Sequence, residues 1–85
     1  ISMKYDYDYV KKVVIDCIRV ETDFNGPISE DSEAIDIDGW DSIGHVRIIY
    51  RIELTMGVNL ERDSIYSSST VGDLIEIVIG AMGGL

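Results

Sequence analysis

The residues best placed to do chemistry in this chain are Asp41, Ser42 and His45. They lie in the stretch Gly39-Trp40-Asp41-Ser42-Ile43-Gly44-His45, where an acidic loop gives way to an amphipathic segment. From Ile43 onward, apolar side chains fall at Ile43, Val46, Ile48, Ile49, Tyr50, Ile52, Leu54 and Met56, with His45, Arg47, Arg51 and Glu53 interleaved. That periodicity is helical, not alternating. Asp41 is placed to cap the helix, its carboxylate accepting an unpaired backbone N–H of the first turn. Ser42 then becomes the first or second helical residue, with its hydroxyl exposed in the positive field of the helix terminus. A phosphodiester on that hydroxyl would lie where free amides and the helix dipole favour negative charge. The site suits a phosphorylated modification better than catalysis.

A hydrolase reading competes, in which His45, three residues along, activates Ser42 as a nucleophile. The sequence has no Gly-x-Ser-x-Gly elbow and no second histidine, and so small a bundle offers no evident enclosed pocket. No catalytic residue is assigned, and His45 is expected to be a surface residue. Gly44, in the first turn, lowers helix propensity by about 1 kcal/mol relative to alanine. It either admits the close approach of a partner or an attached group, or has no special role.

The elements that must position Ser42 are legible on both sides of it. After Asp6 or Asp8 as cap, Tyr9, Val10, Val13, Val14, Cys17 and Ile18 recur on one helical face, with Lys11, Lys12, Asp16 and Arg19 on the other. This predicts a helix from about residue 5 to about residue 20. Asn25-Gly26-Pro27 opens a long connection, whose isolated apolar residues Phe24, Ile28, Ile35 and Ile37 are expected to fold back onto the core. The second helix runs from about Ser42 to about Met56, with Gly57 as a left-handed stop. Asp63 to Tyr66 could form one short turn. Thr70 and Asp73 read as a variant capping box for a last helix carrying Val71, Leu74, Ile75, Val78, Ile79 and Met82 and fraying at Gly83-Gly84. Three long helices and a short one, each with an apolar stripe, predict an all-α, small four-helix bundle.

Composition bounds what such a bundle can do. Eighty-five residues make a single domain, residues 1–85, with Ile1 and Ser2 read as an addition ahead of a native start at Met3. At 46% apolar and 27% charged, the chain is too apolar for disorder. It has neither a signal peptide pattern nor an apolar run near the roughly 18 residues of a membrane span, which predicts a cytoplasmic protein. A net charge of −9 argues against nucleic acid and membrane partners. Eight acids and no base lie between Val20 and Ser42; they either steer a partner with a basic rim or aid solubility. Cys17 is expected to be a small core residue, since it has no disulfide or metal-ligand partner. Glu21-Thr22-Asp23-Phe24-Asn25-Gly26 matches half of a calcium loop, but Ser32 stands where the bidentate glutamate is needed, so no specific metal site is expected.

Trp40-Asp41-Ser42-Ile43 resembles the Asp-Ser-Leu signature of acyl and peptidyl carrier proteins, with isoleucine in place of leucine. Val10 to Val14 resembles the family's first helix, Ile35 to Trp40 its approach loop, and Val71 to Ile75 the start of its last helix. The resemblance implies a carrier protein, itself no enzyme, whose Ser42 receives 4′-phosphopantetheine from coenzyme A through a phosphopantetheinyl transferase. Acyl or aminoacyl groups would then be held as thioesters and presented to acyl-activating, condensing or acyl-transferring enzymes. It also implies that Asp41 belongs to the attachment motif and that Ile43, Val46, Arg47 and Tyr50 form the docking face of a monomer that binds partners briefly. Carriers of bacterial fatty acid synthesis usually have acids on that face, whereas this chain has His45, Arg47 and Arg51. A specialised stand-alone carrier, serving a fatty acid, polyketide, peptide or sugar-linked pathway, is therefore expected. The alternative is a helical interaction module that keeps the carrier fold without the arm; loss of the serine would mark it, and Ser42 is present.

Overall fold

The computed structural model describes residues 6–60 and 70–84. Among them are three α-helices, α1 (Tyr7–Thr22), α2 (Ser42–Met56) and α3 (Val71–Ala81), together with a 3-10 turn at Ala34–Asp36. There is no strand among the described residues; one isolated antiparallel bridge joins Glu33 to Thr70. The short turn expected at Asp63 to Tyr66 lies outside the described residues.

Each helix begins and ends where its local chemistry dictates. Asp6 caps α1 by accepting the Tyr9 N–H at 2.9 Å, and Asp23 closes it in the left-handed conformation. The helix therefore lies about two residues further along than the periodicity suggested. Gly57 ends α2 with a φ of +67°, and the amides of Gly57 and Val58 both turn back to the Glu53 carbonyl. Thr70 and Asp73 form the reciprocal capping box of α3. At its other end α3 is closed, not frayed, because the Gly84 N–H donates to the Ile79 carbonyl at 2.9 Å.

α1 is the central element and packs closely against both α2 and α3. Its buried Val10, Val14, Cys17 and Ile18 meet Ile48, Ile49 and Ile52 of α2 and Val71, Leu74, Ile75 and Val78 of α3 in one apolar core. Cys17 is part of that core, as its position on the stripe predicted, and burial pushes its thiol pKa up.

The long connection is ordered by contacts to all three helices. Arg19 donates to the carbonyls of Phe24 and Gly26 at 3.1 and 2.8 Å, which anchors the turn after α1. Tyr7 and Lys11 both donate to the Glu30 carboxylate. The Val71 and Gly72 amides, orphaned at the start of α3, donate to the carbonyls of Ser32 and Glu30 at 2.9 and 2.8 Å. Ile37 is buried and Phe24 and Ile28 pack against the core, as expected. Ile35 is not, being 90% exposed: the 3-10 turn that buries Ile37 leaves the residue two before it on the open side. No described helix is long and apolar enough to cross a membrane.

The Tyr7 phenol donates to a carboxylate that itself accepts from Lys11, so the tyrosine holds its proton up to about 12 in place of 10.0, and Glu30 titrates below its usual range. A group whose folded pKa is raised supports folding below its unfolded pKa and loses that support as pH rises through the folded value. Thermal melts should therefore show stability falling between pH 10 and about 12, a decline that Tyr7→Phe flattens.

Candidate functional site

Asp41 and Ser42 occupy the start of α2 as the sequence suggests. The Asp41 carboxylate accepts the Gly44 N–H at 2.7 Å, and its carbonyl accepts the His45 N–H at 2.8 Å. Ser42 is the first helical residue and is exposed, and no hydrogen bond to another described residue holds its hydroxyl. The first turn of α2 contains no acid. The amides of Ser42 and Ile43 stand outside the helical ladder, so the terminus keeps its partial positive charge beside the hydroxyl.

The approach to this serine is fixed by two glycines. A Cβ built on Gly44 would lie 2.1 Å from the Gly39 carbonyl oxygen. Neither a partner nor drift is needed to account for this glycine: the chain's own loop occupies the space. Gly39, at φ +94°, lies in turn against the end of α1, where a Cβ would come within 3.0 Å of the Thr22 carbonyl oxygen. The last residue of α1, the loop and the first turn of α2 are thus stacked backbone to backbone. Trp40 follows immediately, half-buried against the core, and its indole N–H donates to His45 Nδ1 at 2.9 Å. His45 is half-buried, not a surface residue. The indole meets the Nδ1 edge of its ring.

Beyond Ser42, α2 divides into two faces. Ile48 and Ile52 are fully buried and Met56 packs against the core, whereas Ile43, Val46 and Tyr50 are 65%, 55% and 62% exposed. Leu54 extends this exposed stripe by a further turn at 67%. The sequence reading missed it because the helical pattern alone does not say which flank of an apolar stripe faces the core. Arg47 is exposed and makes no ion pair among the described residues. Arg51 instead pairs with Glu21 of α1, and Glu53 turns to accept the Leu60 N–H at 2.9 Å. A shallow groove of about 200 Å³ runs beside the stripe, lined by Glu21, Arg47, Tyr50, Arg51, Leu54 and Thr55.

The acidic residues that suggested a calcium loop have other roles. Glu21 is held by Arg51, and Asp23 supplies the left-handed end of α1. Arg19 takes the carbonyls of Phe24 and Gly26. Among the described residues no group of three or more His, Cys, Asp or Glu side chains could hold a metal ion.

The chain is 35% identical over 69 residues to a protein from Sinorhizobium fredii (strain NBRC 101917 / NGR234) named acyl carrier protein, covering 81% of this chain and 85% of that relative. It matches acyl carrier protein AcpP of Rhizobium meliloti (strain 1021) at the same identity and coverage. No family model matches the chain, and no solved structure matches it significantly.

The seating of the loop on Gly44 sets a sign that helix propensity alone would get wrong. Gly80, inside α3, has nothing within 4 Å of a built Cβ, so Gly80→Ala should stabilise by up to about 1 kcal/mol. Gly44→Ala should destabilise instead, since the Gly39 carbonyl must move; urea unfolding of the two variants measures the contrast.

Proposed function

The chain belongs to the acyl carrier protein family, and from that membership we propose that its carrier function runs through a 4′-phosphopantetheine arm attached to Ser42. The observation that carries this reading is the exposed Ser42 hydroxyl, unengaged among the described residues, at the first position of a capped helix whose first turn contains no acid. Ser42 Oγ bonds to the phosphorus of coenzyme A that bears the pantetheine. The diphosphate bond breaks, adenosine 3′,5′-bisphosphate leaves, and the hydroxyl proton passes to the phosphopantetheinyl transferase. Asp41 keeps the first turn formed, while the Ser42 and Ile43 amides and the helix dipole lower the free energy of the phosphodiester anion. When bound, the arm supplies a terminal thiol on which acyl groups are carried as thioesters. The chain itself performs no chemistry on them; acyl-activating, condensing or acyl-transferring enzymes do.

Ile43, Val46, Arg47 and Tyr50, extended by Leu54, form the docking face in this reading. An apolar stripe flanked by charge suits transient association. With Glu53 turned to the Leu60 amide, Arg47 is the charge this face offers a partner. That charge favours a dedicated pathway over the usual fatty acid synthesis partners. The same reading takes residues 1–85 as one cytoplasmic, monomeric domain and places a fourth, short helix between α2 and α3.

Intact mass before and after incubation with coenzyme A and a broad-specificity phosphopantetheinyl transferase tests the assignment. Wild type should gain one phosphopantetheinyl group and Ser42→Ala none; a folded, initially unmodified wild type that gains nothing would favour a module without the arm. For the docking face, Val46→Asp should raise the KM of that transfer roughly tenfold, because the acid enters the centre of the stripe. Its unfolding midpoint should stay unchanged, since Val46 is outside the core.

A further inference from the structure

His45 has the chemistry of a base and lies three residues beyond Ser42, yet its ring is engaged elsewhere. The Trp40 indole can only donate. At 2.9 Å from His45 Nδ1, it therefore requires that nitrogen to be unprotonated, which puts the ring proton on Nε2. The two rings are nearly parallel, 13° apart with centroids 6.0 Å from one another. The His45 backbone is held as well, its N–H donating to the Asp41 carbonyl at 2.8 Å. Residues 40 and 45 are thus joined by side chains across a segment that contains Asp41 and Ser42. The pair can reach one another because the Gly39 carbonyl sits directly on Gly44.

We propose that His45 is a positioning residue acting through Trp40: its Nδ1 pins the approach loop to the first turn of α2, so that the backbone bearing Ser42 is held in one place before the transferase. This rests on the carrier reading of Ser42. Docking depends on the exposed stripe, which the pin does not touch, so loss of the pin acts on turnover more than on affinity. A positioned hydroxyl that wanders by a fraction of an ångström to an ångström loses rate by roughly ten- to a hundredfold.

Rates of phosphopantetheinyl transfer to wild type, His45→Ala, His45→Asn and Trp40→Phe test the pin. His45→Ala should lower kcat about tenfold with KM nearly unchanged. His45→Asn should recover most of that loss, since the amide oxygen can stand where Nδ1 accepts. Trp40→Phe should match His45→Ala, and combining the two should lower kcat no further. If His45→Asn is as slow as His45→Ala, the imidazole itself is required and the proposal fails; it fails equally if Trp40→Phe transfers at the wild-type rate. Because the chain has one tryptophan, its indole N–H gives a single NMR signal that reports the bond apart from any transfer. That signal should exchange slowly in wild type and His45→Asn and quickly in His45→Ala. A wild type that accepts no group sinks the carrier reading instead, and rapid indole exchange in wild type sinks the pin.

Discussion

The contact on which the site depends is the seating of the Gly39 carbonyl against Gly44, with the end of α1 behind it. The Gly39 carbonyl sits directly on the Gly44 backbone, and Gly39 packs in turn on the backbone and Cβ of Thr22. This fixes where the loop arrives, hence where Asp41 can cap and where α2 begins. The hydrogen bonds of the first turn then follow: the Asp41 carboxylate to Gly44, its carbonyl to His45, and Trp40 to the His45 ring. A side chain at position 39 or 44 would push the layers apart and disturb these bonds. Packing at this point therefore constrains the first turn alongside the cap, although the cap is the more visible feature in the sequence.

Charge in the chain is more organised than the net value of −9 suggests. Glu21 and Glu30 are each drawn to a base on a helix, Arg51 and Lys11. Asp6, Asp36, Asp41 and Asp73 accept backbone amides at the starts of helices or turns. A large share of the acidity thus orders the backbone, and the exposed ion pairs themselves add little stability. Along α2, the one acid turns inward to an amide and one arginine is tied to α1. The exposed stripe is left mainly apolar, with the Arg47 guanidinium on it making no ion pair among the described residues.

Helix positions, caps and the buried stripe were legible in the sequence because they depend on residues within a turn or two of each other. Asp41, Gly57 and the Thr70–Asp73 box are all of this kind, and so is the placement of Ser42. What the sequence did not disclose depends on contacts between distant segments. Gly44 could be read only as a local propensity defect, because its neighbour Gly39 approaches from outside the helix. Arg51 looked like a surface charge until Glu21, 30 residues earlier, was seen beside it. His45 read as a surface residue because nothing in helical periodicity reveals that Trp40 comes back to bond its ring. Ile35 was misjudged for a related reason: in a short 3-10 turn, apolar residues two apart cannot both face the core.

The division of α2 into a helix with borrowed supports bears on recombination between carriers. An exchange cut at the helix boundary would transplant Gly44, His45 and Arg51 while leaving behind Gly39, Trp40 and Glu21, which complete their contacts. The structural unit is therefore discontinuous: residues 39–56 together with the last turn of α1. Chimeras that respect this seam keep the second helix and its foundations together. Those cut at Ser42 receive the same helix on a loop shaped for another one.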